Sequence, residues 1–162
     1  ESHAETRTPG RVLMMGAGGV AEALGPALIE LGHDLAVFDL DSSRAEALAA
    51  KLGLSCSAAS KDQLPDLASH AQGLVNATAM GMAEYPGSAF QDAWLGGQVW
   101  AFDAVYTPPE TVFLKAAKSN NIKCISGFEL FCAMAVRSFE AYTGLATDHE
   151  ELLPLLMPLR PE

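Results

Sequence analysis

The sequence predicts an α/β fold, a doubly wound and mostly parallel sheet of six strands with helices on both faces. Two observations carry the prediction. From residue 11 onward, short apolar runs alternate with longer helical stretches. Strands joined by crossover helices run parallel and need cover on both sides. In addition, a glycine cluster at 16–19 lies between the first run and the first helix, and an aspartate, Asp39, closes the second run.

The elements follow in order. Residues 1–10 are polar and read as an arm or linker, leaving 11–162 as one domain. A β-rich run covers 11–15, and a helix continues from the glycines to about Leu31. The second strand covers 34–39. Ser42 or Ser43 can cap the next helix, because hydroxyls accept from the free N–H groups at a helix start. That helix runs to about Lys51 and ends at Gly53, glycine being the usual residue past a helix C-terminus. The third strand is predicted at 54–58, followed by a short helix at 61–64 that Pro65 ends. Residues 73–76 form the fourth strand, and 79–90 a loop broken by Gly81, Pro86 and Gly87. The fifth strand spans 98–103. A helix at 110–119 starts behind Pro108 and Pro109, since proline suits helix starts. The sixth strand is 122–125, and helices follow at about 128–142 and 150–157.

Composition narrows the function. The 162 residues are 49% hydrophobic, enough to bury a core, yet no apolar run approaches the roughly 20 residues of a membrane span. The N-terminus has no apolar stretch of the kind a secretory leader needs. A formal net charge of −10 argues against nucleic acid and anionic membranes as partners. Phosphate ligands stay open, because backbone N–H groups at a helix start hold them whatever the global charge. Cys56, Cys124 and Cys132 fit neither a metal motif nor a disulfide framework. They read as reduced, mostly buried thiols of a cytoplasmic protein. His3, His33, His70 and His149 are scattered and read as surface or cap residues, and no metal site is expected.

The strongest local signal is Val12-Leu13-Met14-Met15-Gly16-Ala17-Gly18-Gly19-Val20-Ala21. It matches G-x-G-x-x-G/A through Gly16, Gly18 and Ala21, in the required strand-to-helix context. Gly16 permits the tight turn and Gly18 lets the backbone approach a pyrophosphate. Ala17, Gly19 and Val20 complete the loop, and the helix start presents free N–H groups. A tight turn without ligand is the plainer reading, but the position after the first strand favours a Rossmann-type dinucleotide site. Asp39 lies 23 residues beyond Gly16, near the spacing of about 20 at which an acid meets the adenosine ribose. Asp41 is the other candidate for that role. Both carboxylates would repel a 2′-phosphate and favour NAD over NADP, unless they serve only as a solvated turn and helix cap. Arg44, the nearby cation, either faces a phosphate or stays on the surface.

Three further segments lie at strand ends, where open α/β sheets bind ligands. They are Asn76-Ala77-Thr78-Ala79-Met80-Gly81-Met82, then Asp103-Ala104-Val105-Tyr106-Thr107-Pro108-Pro109-Glu110-Thr111, then 127–144, which closes Phe139-Glu140-Ala141-Tyr142-Thr143-Gly144. With the glycine loop they resemble the shikimate/quinate dehydrogenase family. That family carries G-A-G-G, N-A-T-x-x-G-M, D-x-x-Y-x-P-x-x-T and F-x-x-(W/Y)-T-G in this order. The resemblance covers residues 11–144.

The resemblance implies a cofactor-binding half, with Asn76, Ala77, Thr78 and Met82 beside the dinucleotide and Gly127 near the nicotinamide. Tyr106 would reach the substrate carboxylate. The residues alone leave plainer roles open: Asn76 and Thr78 bonding backbone at a strand end, Tyr106 a half-buried aromatic, Met80 and Met82 core. Two departures matter. NADP-dependent members carry Asn-Arg-Thr where this chain has Asp39-Leu40-Asp41, which supports NAD. The family's substrate-binding Gln falls at Met134, whose thioether cannot replace an amide's hydrogen bonds to a hydroxylated ring. Glu22 also stands where an Arg is frequent.

By the same resemblance, a hydroxylated cyclic carboxylate substrate and a Lys and Asp pair for proton transfer belong to an N-terminal domain to which nothing here corresponds. No catalytic residue is expected in this chain, which alone should bind dinucleotide and turn over little. The expected function is the cofactor half of a shikimate or quinate dehydrogenase. One alternative is a non-catalytic module that senses NAD. Another is a methyltransferase using S-adenosylmethionine, for which the Asp103 to Thr111 motif has no reason to exist.

Overall fold

The computed structural model describes residues 9–160, so most of the polar arm lies outside the described residues. Strand β1 (Arg11–Met15) leads into α1 (Gly19–Glu30), β2 (Asp34–Phe38) into α2 (Ser42–Leu52), and β3 (Cys56–Ala58) into α3 (Leu64–His70). The second half repeats the scheme. β4 (Gly73–Asn76) passes through a long loop to β5 (Trp100–Asp103), followed by α4 (Val112–Ser119), β6 (Lys123–Ser126), α5 (Gly127–Thr143) and α6 (His149–Leu156). The strands form one sheet in the order β3-β2-β1-β4-β5-β6, with every neighbouring pair parallel. This is the six-stranded Rossmann arrangement that the sequence predicts.

Alternate residues of each strand face opposite sides, which explains why the central strands read as unbroken apolar runs. Leu13, Met15, Leu74 and Ala101 pack with Leu64 and Ala68 of α3 and Phe113, Leu114 and Ala117 of α4. On the other face Val12, Met14, Val37 and Val75 meet Ala21 of α1 and Ala45 and Leu48 of α2, with Leu130 of α5 at the margin. Phe90, from the long loop, stacks on Phe113 at 4.6 Å and closes the first layer. Gly73 is required in β4 because the Trp100 indole lies where a side chain would stand.

Several boundaries differ from the sequence expectation. Pro65 opens α3 instead of ending a helix, since a first-turn N–H has no intrahelical partner to lose. Neither Ser42 nor Ser43 caps α2; the carboxylate of Asp41 does, accepting from the Ser43 N–H at 3.1 Å. Gly53 closes that helix at φ +84° as expected. Helix α4 starts at Thr111, whose hydroxyl caps the Leu114 N–H, and not at the prolines. His33 is no surface residue: it is 1% exposed, within hydrogen-bonding distance of the Gly10 carbonyl and edge-on to Trp100. His70 is exposed at the end of α3 as expected, whereas His3 and the His149 side chain lie outside the described residues. Cys132 is buried, and Cys56 and Cys124 are half-buried.

Candidate dinucleotide site

The sheet order reverses between β1 and β4, where strand ends splay and leave a crevice. Register pairs Met15 with Asn76, so the glycine loop after β1 and the 76–82 segment after β4 leave the sheet side by side. Gly16 adopts φ +99°, and its N–H donates to the Phe38 carbonyl at 2.7 Å. A Cβ there would stand 2.8 Å from the Ala77 carbonyl oxygen and 2.9 Å from the Thr78 methyl. Gly16 therefore serves both the turn and the contact between the two halves. Gly18 is the N-cap of α1 without a capping side chain, and Gly19 faces open space. The first N–H groups of α1 thus stay available at an unobstructed helix start, the cradle a pyrophosphate needs. Val20 is exposed on the same turn, and Ala17 is buried beneath it.

Asp39 is tied directly to this loop. One carboxylate oxygen accepts the Ala17 N–H at 2.8 Å, and the other accepts the Asp41 N–H at 3.0 Å. Each oxygen keeps a second lone pair for a ribose hydroxyl. Asp41 is engaged otherwise, since its carboxylate caps α2 and accepts the Ser43 hydroxyl at 2.6 Å. Those Ser43 bonds hold the Asp41 carboxyl below its ordinary range. Leu40, between them, is almost fully exposed. Arg44 reaches back toward the loop, where its guanidinium would stand 3.2 Å from a Cβ at Gly18. An open groove of about 290 Å³ lies beside it, lined by Ala17, Glu22, Arg44, Ala47, Leu48 and Lys51. Glu22 and Lys51 pair across the groove at 2.7 Å, which pulls the Glu22 carboxyl below its usual range.

The second half is locked by a buried polar network. Asn76, fully buried, donates to Asp103 and to the Met80 carbonyl, both at 2.9 Å. Its oxygen accepts from the Thr78 hydroxyl at 2.6 Å and the Thr78 N–H at 3.1 Å. The whole Asn76 amide is thus spent inside the protein. Asp103, also fully buried, accepts from Asn76, from the Val105 N–H at 3.0 Å and from the Thr111 hydroxyl at 2.6 Å. Burial pushes its carboxyl up, while the bonds from Thr111, Val105 and Asn76 oppose the rise. Ala77 is buried at the base of the segment, and Met82 is half-buried in a turn joined to Tyr85.

At the β5 and β6 ends, Tyr106 is half-exposed and stacks on Phe131 of α5, with ring centres 5.6 Å apart. Gly127 is buried at the start of α5, where a side chain would collide with the Ala104 and Val105 backbone. A capping box of Ser126 and Glu129 opens that helix. Met134 is exposed, one turn beyond Phe131. Among the described residues no cluster of His, Cys, Asp or Glu could hold a metal ion. No described helix is long and apolar enough to cross a membrane.

The structure thus joins Gly16, Ala17 and Asp39 directly, sets Asn76–Thr78 alongside, and brings Arg44 to Gly18. Sequence reasoning missed the linking role of Asp103 and Thr111, the Phe131 partner of Tyr106, and the Glu22–Lys51 pair. Asp103 had a signal, being an aspartate that closes an apolar strand with a Thr eight residues on. The pairing of Glu22 with Lys51, 29 residues apart, had none.

No family model matches the chain. It is 38% identical over 148 residues to a quinate/shikimate dehydrogenase (NAD(+)) of Corynebacterium glutamicum, a match over 85% of this chain and 50% of that protein. It is 36% identical over 149 residues to a shikimate dehydrogenase (NADP(+)) of Streptomyces avermitilis, over 88% of this chain and 51% of the relative. Among solved structures, quinate dehydrogenase from C. glutamicum in complex with NAD superposes with a TM-score of 0.82 at 36% identity, over 91% of this chain and 55% of that one. Shikimate 5-dehydrogenase from Thermus thermophilus, in complex with NADP(H) and shikimate, gives 0.76 at 31%, over 88% and 52%. The chain spans about half the length of the relatives it matches. What it matches, in sequence and in fold, is the cofactor-binding part of the shikimate/quinate dehydrogenases.

Proposed function

We propose that this chain is the cofactor-binding half of an NAD-preferring dehydrogenase acting on shikimate or quinate, with residues 11–162 as the dinucleotide domain and 1–10 leading into it. The observation that carries the preference is the β2 end, where Asp39 offers its carboxylate, Leu40 stands where a cation would be needed, and Asp41 adds a second charge. A carboxylate accepts both ribose hydroxyls but repels a 2′-phosphate. Relatives of both cofactor types match the chain: the C. glutamicum protein is named for NAD and the S. avermitilis protein for NADP. The loop of Gly16, Ala17, Gly18, Gly19 and Val20 would hold the pyrophosphate. The backbone of Asn76, Ala77 and Thr78, with Met82, would line the far side, and Gly127 the nicotinamide end.

When bound, the cofactor supplies hydride exchange with the substrate carbon that bears the hydroxyl or ketone. This chain's residues orient it and shape the electrostatics. The Tyr106 hydroxyl, on a ring braced by Phe131, offers a hydrogen bond to a substrate carboxylate. The proton-transfer pair and most substrate contacts belong to a further domain. A second reading, a non-catalytic NAD module, draws on Met134, an exposed thioether on the same helix as Phe131. Calorimetric titration with NAD and NADP tests the leading proposal. NAD should bind better, and Asp39→Ala should weaken it by about tenfold or more, the size of a lost hydrogen bond to a charged group. Absence of NAD binding, or tighter binding of NADP, would sink it.

A further inference from the structure

An Arg near the ribose accommodates the 2′-phosphate in NADP-binding sites of this fold. Arg44 stands in that neighbourhood, in the first turn of α2 and with its guanidinium against Gly18. Its surroundings are unusual for a phosphate receptor. Glu22 of α1 and Lys51 of α2 share its groove, and Asp41 lies three residues before it. Lys51 chiefly lowers the Glu22 carboxyl and Ser43 chiefly lowers that of Asp41, with Arg44 a smaller contributor to both, so it sits in the field of two anions.

Resting on the NAD-binding reading above, we infer that Glu22 is a specificity-determining residue: its carboxylate engages Lys51 and neutralises the Arg44 side of the groove, so that neither cation is available to a 2′-phosphate. Glu22 acts through the two cations and need not touch NAD, which brings no phosphate to that position.

The two ends of the Glu22–Lys51 pair should then act with opposite signs. Replacing Glu22 removes a negative charge, frees Lys51 from its pair and leaves Arg44 with one anion fewer nearby. Replacing Lys51 removes a positive charge and leaves Glu22 facing Arg44 alone. A purely structural role in bracing α1 against α2 would instead move both variants the same way.

The test is calorimetric titration of the wild-type chain, Glu22→Gln, Lys51→Met and Glu22→Gln/Arg44→Ala with NAD and with NADP at low salt. The expected result is a shift of the NADP-to-NAD affinity ratio toward NADP by roughly three- to fivefold in Glu22→Gln, the size of an exposed ion pair. Lys51→Met should move the ratio the other way, and adding Arg44→Ala should cancel the gain. An unchanged ratio in Glu22→Gln, or shifts of the same sign in both single variants, overturns the inference while the NAD-binding reading stands. Failure of the wild-type chain to bind NAD overturns that reading, and this one with it.

Discussion

At the scale of single residues, the glycines of the loop do different work. Gly16 combines a left-handed backbone with contact against the Ala77 carbonyl, so Gly16→Ala meets both conformational strain and a backbone collision. Urea unfolding should show it destabilised by about 1–3 kcal/mol from the backbone term alone. Gly19 has nothing within reach of a Cβ. Gly19→Ala should keep its stability within about 0.5 kcal/mol and weaken dinucleotide binding, because its methyl enters the space above the helix start. If Gly16→Ala unfolds at the wild-type urea midpoint, the packing role assigned to Gly16 is wrong. The motif itself showed both glycines in the sequence. Which of them the fold needs and which the ligand needs depends on Ala77, 61 positions later, and could not be read locally.

At the scale of elements, the ends matter most, and there sequence and structure diverge. Strand β4 was legible to the residue, because an apolar run between Gln72 and a polar segment has one reading. The starts of α2, α3 and α4 were not. Asp41, Ser42 and Ser43 are all capping residue types, and only backbone geometry selects Asp41. Pro65 punctuates a helix start or an end with equal ease, and Thr111 was overshadowed by two prolines. Ser126→Ala removes the capping box of α5 and should cost about 1 kcal/mol, read from the thermal midpoint. The Asn76–Asp103–Thr111 network makes the β4 and β5 ends one unit, and its carboxylate carries a pH signature. Burial raises the folded pKa of Asp103 above its unfolded value, so the folded state holds the proton more tightly. Asp103 therefore subtracts stability as pH rises from the unfolded carboxyl value, about 3.9, through the raised folded one, and the loss is constant above it. Asp103→Asn lacks this titration. The stability of wild type minus variant should fall across that window and flatten toward neutrality, and a flat difference throughout would show the carboxyl is not perturbed.

At the scale of the whole molecule, alternating strands and helices were enough to predict the sheet, its parallel sense and its covered faces. What the alternation could not give is the set of side chains left outward. Tyr106, Phe131, Met134 and Tyr142 are all exposed around α5. This chain spans only about half the length of its relatives, and the proposed function would have part of this face covered by a further domain. A steady-state assay of the chain with NAD and shikimate or quinate should accordingly give no turnover, and measurable turnover would place the proton-transfer groups inside these residues. The net charge of −10 adds a field acting on every phosphate that approaches. NADP carries more negative charge than NAD. Raising the ionic strength from about 0.01 M to 0.15 M shortens screening from about 30 Å to 8 Å and should narrow the gap between the two cofactors.

The bond from the Ala17 N–H to Asp39 has a consequence for how such a domain changes its cofactor. The same carboxylate that would read the ribose also fastens the turn beneath the phosphates, so a substitution there alters loop order and sugar recognition together. A change toward the phosphorylated cofactor made at position 39 would also have to replace the bonds that Asp39 accepts from Ala17 and Asp41. Leu40, almost fully exposed between the two carboxylates, is the more accessible first step.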